Sequence, residues 1–317
     1  MKKSALLLSL SIALVACGSN DPMPASGSAP NAPAPVDQPA VPPPPQSAND
    51  LAAAKLNAVI AGSWRSGANK ARDSYRHPQQ TLEFFGVKPG DTLIEITPGS
   101  GWYAEILAPL MKGTGTYIAA SAKPNKPDGE AATDKNALQV KFAGNAAEYG
   151  EAKTVEFDPK APVFGAAGSA DTVLTFRNVH NWVMADTAPV MFNAFFEVLK
   201  PGGTLGVADH RAAAGATLDK VKGTGYLPQD YVIKLATDAG FKLVAQSEIN
   251  ANPKDTKDYA KGVWTLPPTL TLGDQDKDKY LAIGESDRMT LKFQKPAGDQ
   301  IFQQNADKAA SGDAGKH

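Results

Sequence analysis

The chain carries four histidines, His77, His180, His210 and His317, and a single cysteine, Cys17. His180 has the most promising company, because Phe176-Arg-Asn-Val-His-Asn-Trp182 places Arg177 and Asn178 just before it. An imidazole in such a setting can take a proton from an attacking group while the neighbours orient the reactants. A structural histidine on a turn is the other reading of the same residue. His77 and His210 rank behind it, and Asp209-His210-Arg211 would serve either a pocket or a helix cap. No metal site is expected, since these side chains do not recur at ligand spacing and one cysteine cannot build a thiolate set. A hydrolase elbow is also missing, as no Gly-x-Ser-x-Gly occurs.

A second chemical feature is the stretch Val87 to Leu107, which reads as a turn, a strand, a loop and a helix in direct succession. Gly99 and Gly101 let the loop backbone come close to a ligand, and the helix N-terminus beyond offers unpaired N–H groups to an anion. A tight strand-to-helix connection with no ligand would use the same glycines.

The elements that must hold these residues are short β-branched runs alternating with amphipathic stretches, the pattern of an α/β protein with a mostly parallel sheet. Thr92–Ile96, Thr116–Ala120, Thr154–Phe157, Thr172–Phe176, Thr204–Ala208, Phe241–Ile249 and Met289–Phe293 read as seven strands. Pro189–Leu199 and Pro228–Ala239 read as helices, each opening at proline and ending near glycine. No repeat of 20 to 50 residues is present.

Ten of the 25 prolines fall between Gly18 and Asp50, in a segment of Pro, Ala, Ser, Gly and Asn with little to bury. Residues 17–50 are therefore expected to be a tether, 51–296 the folded domain, and 297–317 a polar, disordered tail. Lys and Arg number 32 against 33 Asp and Glu, so no basic face for nucleic acid is expected.

Met1-Lys2-Lys3 and the apolar run Ala5 to Ala16 form a secretion signal too short to span a bilayer as a helix. Leu14-Val15-Ala16-Cys17-Gly18 then resembles the lipobox of bacterial lipoproteins. The resemblance implies cleavage after residue 16, acylation of Cys17, and attachment to the bacterial envelope. The absence of Asp at position 18 implies the outer membrane, facing the periplasm.

Ile94-Glu95-Ile96 before the glycine loop, Asp171 to Trp182, and Leu199-Lys-Pro-Gly-Gly-Thr-Leu205 occur in an order that resembles class I S-adenosylmethionine-dependent methyltransferases. Tyr75-Arg-His-Pro78, Pro98-Gly-Ser-Gly-Trp-Tyr103, Arg-Asn-x-His-x-Trp and Asp287-Arg-Met-Thr-Leu-Lys-Phe293 are similar to a group of predicted bacterial members. The resemblance covers about residues 75–295. It implies a Rossmann-like seven-stranded sheet with helices on both faces and the last strand antiparallel, with cofactor at the carboxyl ends of the first strands. It also implies S-adenosylmethionine as cofactor, with a small-molecule or otherwise unassigned methyl acceptor.

Carried over by position, Glu95, Thr97, Gly99, Ser100 and Gly101 fall on the loop that would hold the cofactor's methionine end. Thr97-Pro98 replaces the first small residue usual there. Where related chains place an acid for the ribose hydroxyls, this one has Ser121, which can make one such contact where a carboxylate accepts two. Asp158 falls near the adenine position, and its other reading is an Asp-Pro turn. A non-catalytic module that keeps this fold for ligand binding or interaction is the alternative the Ser121 substitution favours.

Overall fold

The computed structural model describes residues 47–124 and 130–297. The signal segment, Cys17, nearly all of the tether and the polar tail lie outside the described residues. Among the described residues, no helix is long and apolar enough to cross a membrane.

Seven strands form one sheet in the order β3-β2-β1-β4-β5-β7-β6. They are β1 (Thr92–Ile96), β2 (Thr116–Ala122), β3 (Lys153–Phe157), β4 (Ala170–Phe176), β5 (Leu199–His210), β6 (Lys242–Ser247) and β7 (Arg288–Gln294). The pairs among the first five are parallel. β7 inserts antiparallel between β5 and β6. All seven runs expected from β-branched composition are strands. The largest difference in extent is in β5, which spans Leu199–His210 rather than Thr204–Ala208. Leu199 pairs with Ala170, the Lys-Pro-Gly-Gly segment makes a bulge, and Thr204 resumes the ladder opposite Thr172. Gly202, at φ 81, supplies the left-handed residue that the bulge requires.

The strand order reverses between β1 and β4, so their carboxyl ends flank the crevice in which open α/β sheets place ligands. Period-2 alternation sends Ile94 and Ile96 to one face of the sheet and Leu93 to the other. On the first face lie the helices Val179–Met184, Ala188–Val198 and Gln229–Asp238. On the second lie Ala48–Ala61, Pro78–Phe85, Ala104–Met111 and Glu130–Gly144. The first of these starts just before residue 51, because Ser47 and Asp50 close a capping box over its N-terminus.

Helix Pro78–Phe85 approaches the middle of the sheet closely because position 206 has no side chain. A Cβ there would lie 2.6 Å from Leu174 Cδ2 and 2.8 Å from Phe85 Cγ. Phe85 is fully buried, and the helix it anchors begins directly after Arg76 and His77. Gly206→Ala should therefore destabilise the fold by about 1–3 kcal/mol through overpacking. Urea unfolding should show a lower midpoint at unchanged slope. An unchanged midpoint would mean that the helix does not depend on this contact.

Candidate functional site

The two central strands end in the same uncommon way. Thr97 (φ 51) and Arg177 (φ 63) follow β1 and β4 in the left-handed region, which costs non-glycine residues energy and is concentrated at functional sites. Each first donates one more ladder bond, Thr97 N–H to the Ala120 carbonyl (2.7 Å) and Arg177 N–H to that of Ala208 (2.8 Å). Asn178 then ties the two ends together. Its buried side-chain amide donates to the carbonyls of Ile96 (3.0 Å) and Thr97 (3.2 Å) and to Thr175 Oγ1 (3.3 Å). Asn178 thus holds the crevice in shape.

Along the glycine loop, the Gly101 N–H closes a turn onto Pro98 O (3.0 Å), and the helix starts only at Ala104. Gly99 and Gly101 both have positive φ, yet they serve different ends. A Cβ at Gly101 would lie 2.7 Å from Leu138 Cδ1, so this glycine makes room for helix Glu130–Gly144. At Gly99 the nearest atom would be the Asp134 carboxylate at 3.6 Å, ordinary contact. The Thr97 hydroxyl is buried without a hydrogen-bond partner, and Ser100 is exposed.

Glu95 is not free to face this loop. It shares the Leu93 face of β1, is buried, and accepts a hydrogen bond from Tyr117 Oη at 2.6 Å. Burial pushes its carboxyl up to about 7, against the opposing pull of Tyr117 and Lys141. Ser121 stands partly exposed near the end of β2, opposite Glu156 of β3. Asp158 is exposed and accepts the Lys160 N–H at 2.9 Å, which is the turn-capping use of that residue.

On the β4–β5 side, His180 Nδ1 lies 2.9 Å from Asp209 Oδ1, both groups buried. Asp209 also accepts the backbone N–H groups of His180 (3.2 Å) and His210 (2.7 Å). With a proton on Nδ1 directed at the carboxylate, His180 keeps Nε2 as its accepting atom. His210 is stacked obliquely beside it, ring centroids 4.9 Å apart. Arg177 Nε donates to His210 Nε2 (3.4 Å), which leaves His210 Nδ1 to donate to Ser286 Oγ (2.5 Å). Burial, then the charges of His180, Arg177, Arg288 and Arg76, hold His210 well below its usual range, so it is neutral. Ligand atoms of His180, Asp209 and His210 lie within 4.8 Å of one another. The Asp209 oxygens are nevertheless spent on N–H donors and His210 Nε2 on a guanidinium, which is a poor setting for a cation.

Around this pair the fold assembles a cluster of arginines whose convergence sequence spacing does not reveal. Glu285, 3% exposed, receives Arg72 Nε (2.7 Å), Arg76 Nε (3.1 Å) and Arg288 Nη1 (2.7 Å). The three guanidiniums hold its carboxyl far below the carboxylate range despite burial. Arg76 also lies over the Trp102 ring at 4.7 Å, and Tyr103 stacks on Phe176 at 3.6 Å. Burial and the neighbouring guanidiniums push Arg76 down to about 9 and Arg177 to about 10, so both remain charged at neutral pH. The local signal for this cluster lies in Tyr75-Arg-His-Pro78 and Asp287-Arg-Met, which spacing alone does not connect.

No protein-family profile and no curated protein matches the sequence. Among solved structures, the chain is similar to the [4+2]-cyclase SpnF, with 16% identity, a TM-score of 0.51, and coverage of 77% of this chain and 92% of that one. It is also similar to an S-adenosylmethionine-dependent methyltransferase from Aquifex aeolicus (13% identity, TM-score 0.48, 77% and 98% covered). A third is a protein described as a putative methyltransferase from Bacillus halodurans (14% identity, TM-score 0.47, 69% and 98% covered). The likeness to SpnF shows the fold, a Rossmann-like α/β sandwich with a seven-stranded mixed sheet.

The raised Glu95 carboxyl makes a signed prediction. Between its ordinary value of 4.5 and about 7 the folded chain binds more protons at Glu95 than the unfolded chain does. Its contribution is therefore fully present below pH 4.5 and is lost as pH rises through 7. Glu95→Gln should gain on the order of 3 kcal/mol relative to the unsubstituted chain between pH 5 and pH 8, read by urea unfolding at both pH values. A difference independent of pH would show that Glu95 is ionised throughout.

Proposed function

We propose that this chain is a methyltransferase dependent on S-adenosylmethionine, acting on a small molecule and held to a bacterial envelope membrane through lipidated Cys17. The observation that carries the reading is the crevice at the β1–β4 reversal, where the unpartnered Thr97 hydroxyl stands two residues before Gly99, whose backbone is left-handed at φ 58. An orphaned buried hydroxyl at a strand end beside left-handed backbone fits a polar ligand. Thr97, Gly99 and Ser100 would hold the methionine end, and Ser121 the ribose. The bound cofactor supplies an electrophilic methyl group. His180, fixed by Asp209, receives at Nε2 the proton that an acceptor hydroxyl or amine gives up, and Asn178 keeps the β1 and β4 ends in register.

The second reading, a binding module without catalysis, is favoured by the β2 end. Ser121 offers a single hydroxyl there, and the neighbouring Glu156 is ion-paired with Lys135. Calorimetric titration with S-adenosylhomocysteine separates the two. Binding should be measurable in the unsubstituted chain and about tenfold or more tighter in Ser121→Asp, since each charge-assisted hydrogen bond adds roughly 1.5–3 kcal/mol. Both are compared at equal salt because the substitution adds charge. An absence of binding in both chains would leave the module reading.

The membrane attachment is tested independently. Several acyl carbons at roughly 0.8 kcal/mol per buried CH₂ anchor a protein stably. Cys17→Ser should therefore move the chain from the membrane fraction to the soluble fraction and remove labelling by a radioactive fatty acid. A variant that stays membrane-bound and labelled would overturn the anchor.

A further inference from the structure

Arg288 opens β7 opposite His210, which closes β5, so the arginine cluster stands at the same end of the sheet as the β4 terminus. A narrow cavity there is lined by Arg76, Tyr103, Phe176, Arg177, Asn250 and Arg288. It shares Asn250 and Arg288 with a wider cleft of about 170 Å³, onto which His77, Lys254, Ser286 and the Glu285 carboxylate, itself paired with three guanidiniums, also face. That space is roughly ten times what one water requires.

The charges around it do not balance. Arg72, Arg76, Arg177 and Arg288 act on one another across the cluster, and the carboxylates that oppose them are Glu285 and Asp209. Nor are the hydrogen bonds complete. Arg288 spends Nη1 on Glu285 and Nη2 on the Tyr75 carbonyl, and its buried Nε has no partner. Arg177 makes one bond, through Nε to His210, and its two terminal nitrogens have no acceptor among the described residues. Arg72 Nη2 is likewise buried and unpaired. The Thr81 hydroxyl donates to the Arg76 carbonyl, so it must accept from Asn250 Nδ2 (3.0 Å), and this fixes Asn250 Oδ1 as a buried acceptor without a donor. The buried groups left open in this way, Arg288 Nε, Arg72 Nη2 and Asn250 Oδ1, call for a ligand.

We propose that the cleft and the narrow cavity it adjoins form an oxyanion site: Arg288, which lines both, with Arg177 and Arg76, which line the narrow one, binds the carboxylate or phosphate of a small molecule seated in the cleft, whose hydroxyl or amine donates to Asn250 Oδ1. Guanidinium suits either anion through its planar, bidentate fork. As the acceptor site of a transferase the cleft rests on the methyltransferase reading, whereas as an oxyanion site it does not.

The test is thermal unfolding of the full chain in sodium phosphate, sodium acetate and sodium chloride at matched ionic strength. At millimolar concentration, phosphate or acetate should raise Tm by about 3 °C above chloride, the better of the two telling a phosphorylated ligand from a carboxylate. Arg177→Asn, a residue that tolerates the left-handed backbone, should abolish the difference. Lys234→Gln, on an exposed helix face, should retain it. Equal Tm in all three salts, or a shift that survives Arg177→Asn, overturns the proposal. An oxyanion effect in a chain that does not bind S-adenosylhomocysteine supports the site and removes only the transferase.

Discussion

One carboxylate holds the site together. Glu285 bonds to Arg72 and Arg76, more than 200 residues earlier, and to Arg288 at the start of β7. Burying a single ion pair rarely yields net stability, because desolvation offsets the attraction. Here one anion meets three guanidiniums, and without it like charges would face each other in a poorly hydrated space. Arg76 passes the constraint onward by lying over Trp102, which follows the glycine loop, while Trp102 Nε1 donates to Asn69 O (3.0 Å). The segment before β1, the loop after β1 and the antiparallel strand are thus joined through Glu285.

The sheet divides its work at Asn178. Toward β2 and β3 the crevice offers small groups: a hydroxyl at Thr97, a bare backbone at Gly99 and another hydroxyl at Ser121. Toward β5 and β7 it offers charge: the His180–Asp209 pair, neutral His210 and the arginines. Asn178 donates to β1 carbonyls from a position just past β4, and so keeps these two halves adjacent. Left-handed backbone at Thr97 and Arg177 marks the boundary from both sides. Fold alone does not assign chemistry to such a boundary.

Much of the architecture was legible in the sequence because it is written locally. Strands of β-branched residues bounded by Gly, Pro or Asp were all found, since buried parallel strands need continuous apolar runs. The bulged start of β5 was not, because Pro201 and two glycines read as a loop until a partner strand is seen. Site residues divide the same way. His180, Asn178 and Arg177 could be singled out because they sit together after a strand. Glu95 carries a residue type that fits the loop, and only its pairing with Tyr117 on the opposite strand shows that the carboxylate is spent. Gly101 looked like a ligand-facing glycine until helix Glu130–Gly144 was seen to pack on it. Arg76, Glu285 and Arg288 escaped local reading altogether, since no periodicity connects positions 209 residues apart.

The arginine field also makes the two neighbouring histidines unlike. His180 and His210 are 4.9 Å apart and both buried, so the two cannot comfortably be charged together. His210 faces Arg177 directly and feels Arg288 and Arg76, and these charges keep it neutral as a donor to Ser286. His180 faces Asp209 instead, which gives an imidazolium formed there an immediate counter-charge. An oxyanion seated among the arginines would lower the positive potential at both rings. In the proposed cleft, the charge of a bound ligand and the potential at the two rings are then linked through the same field.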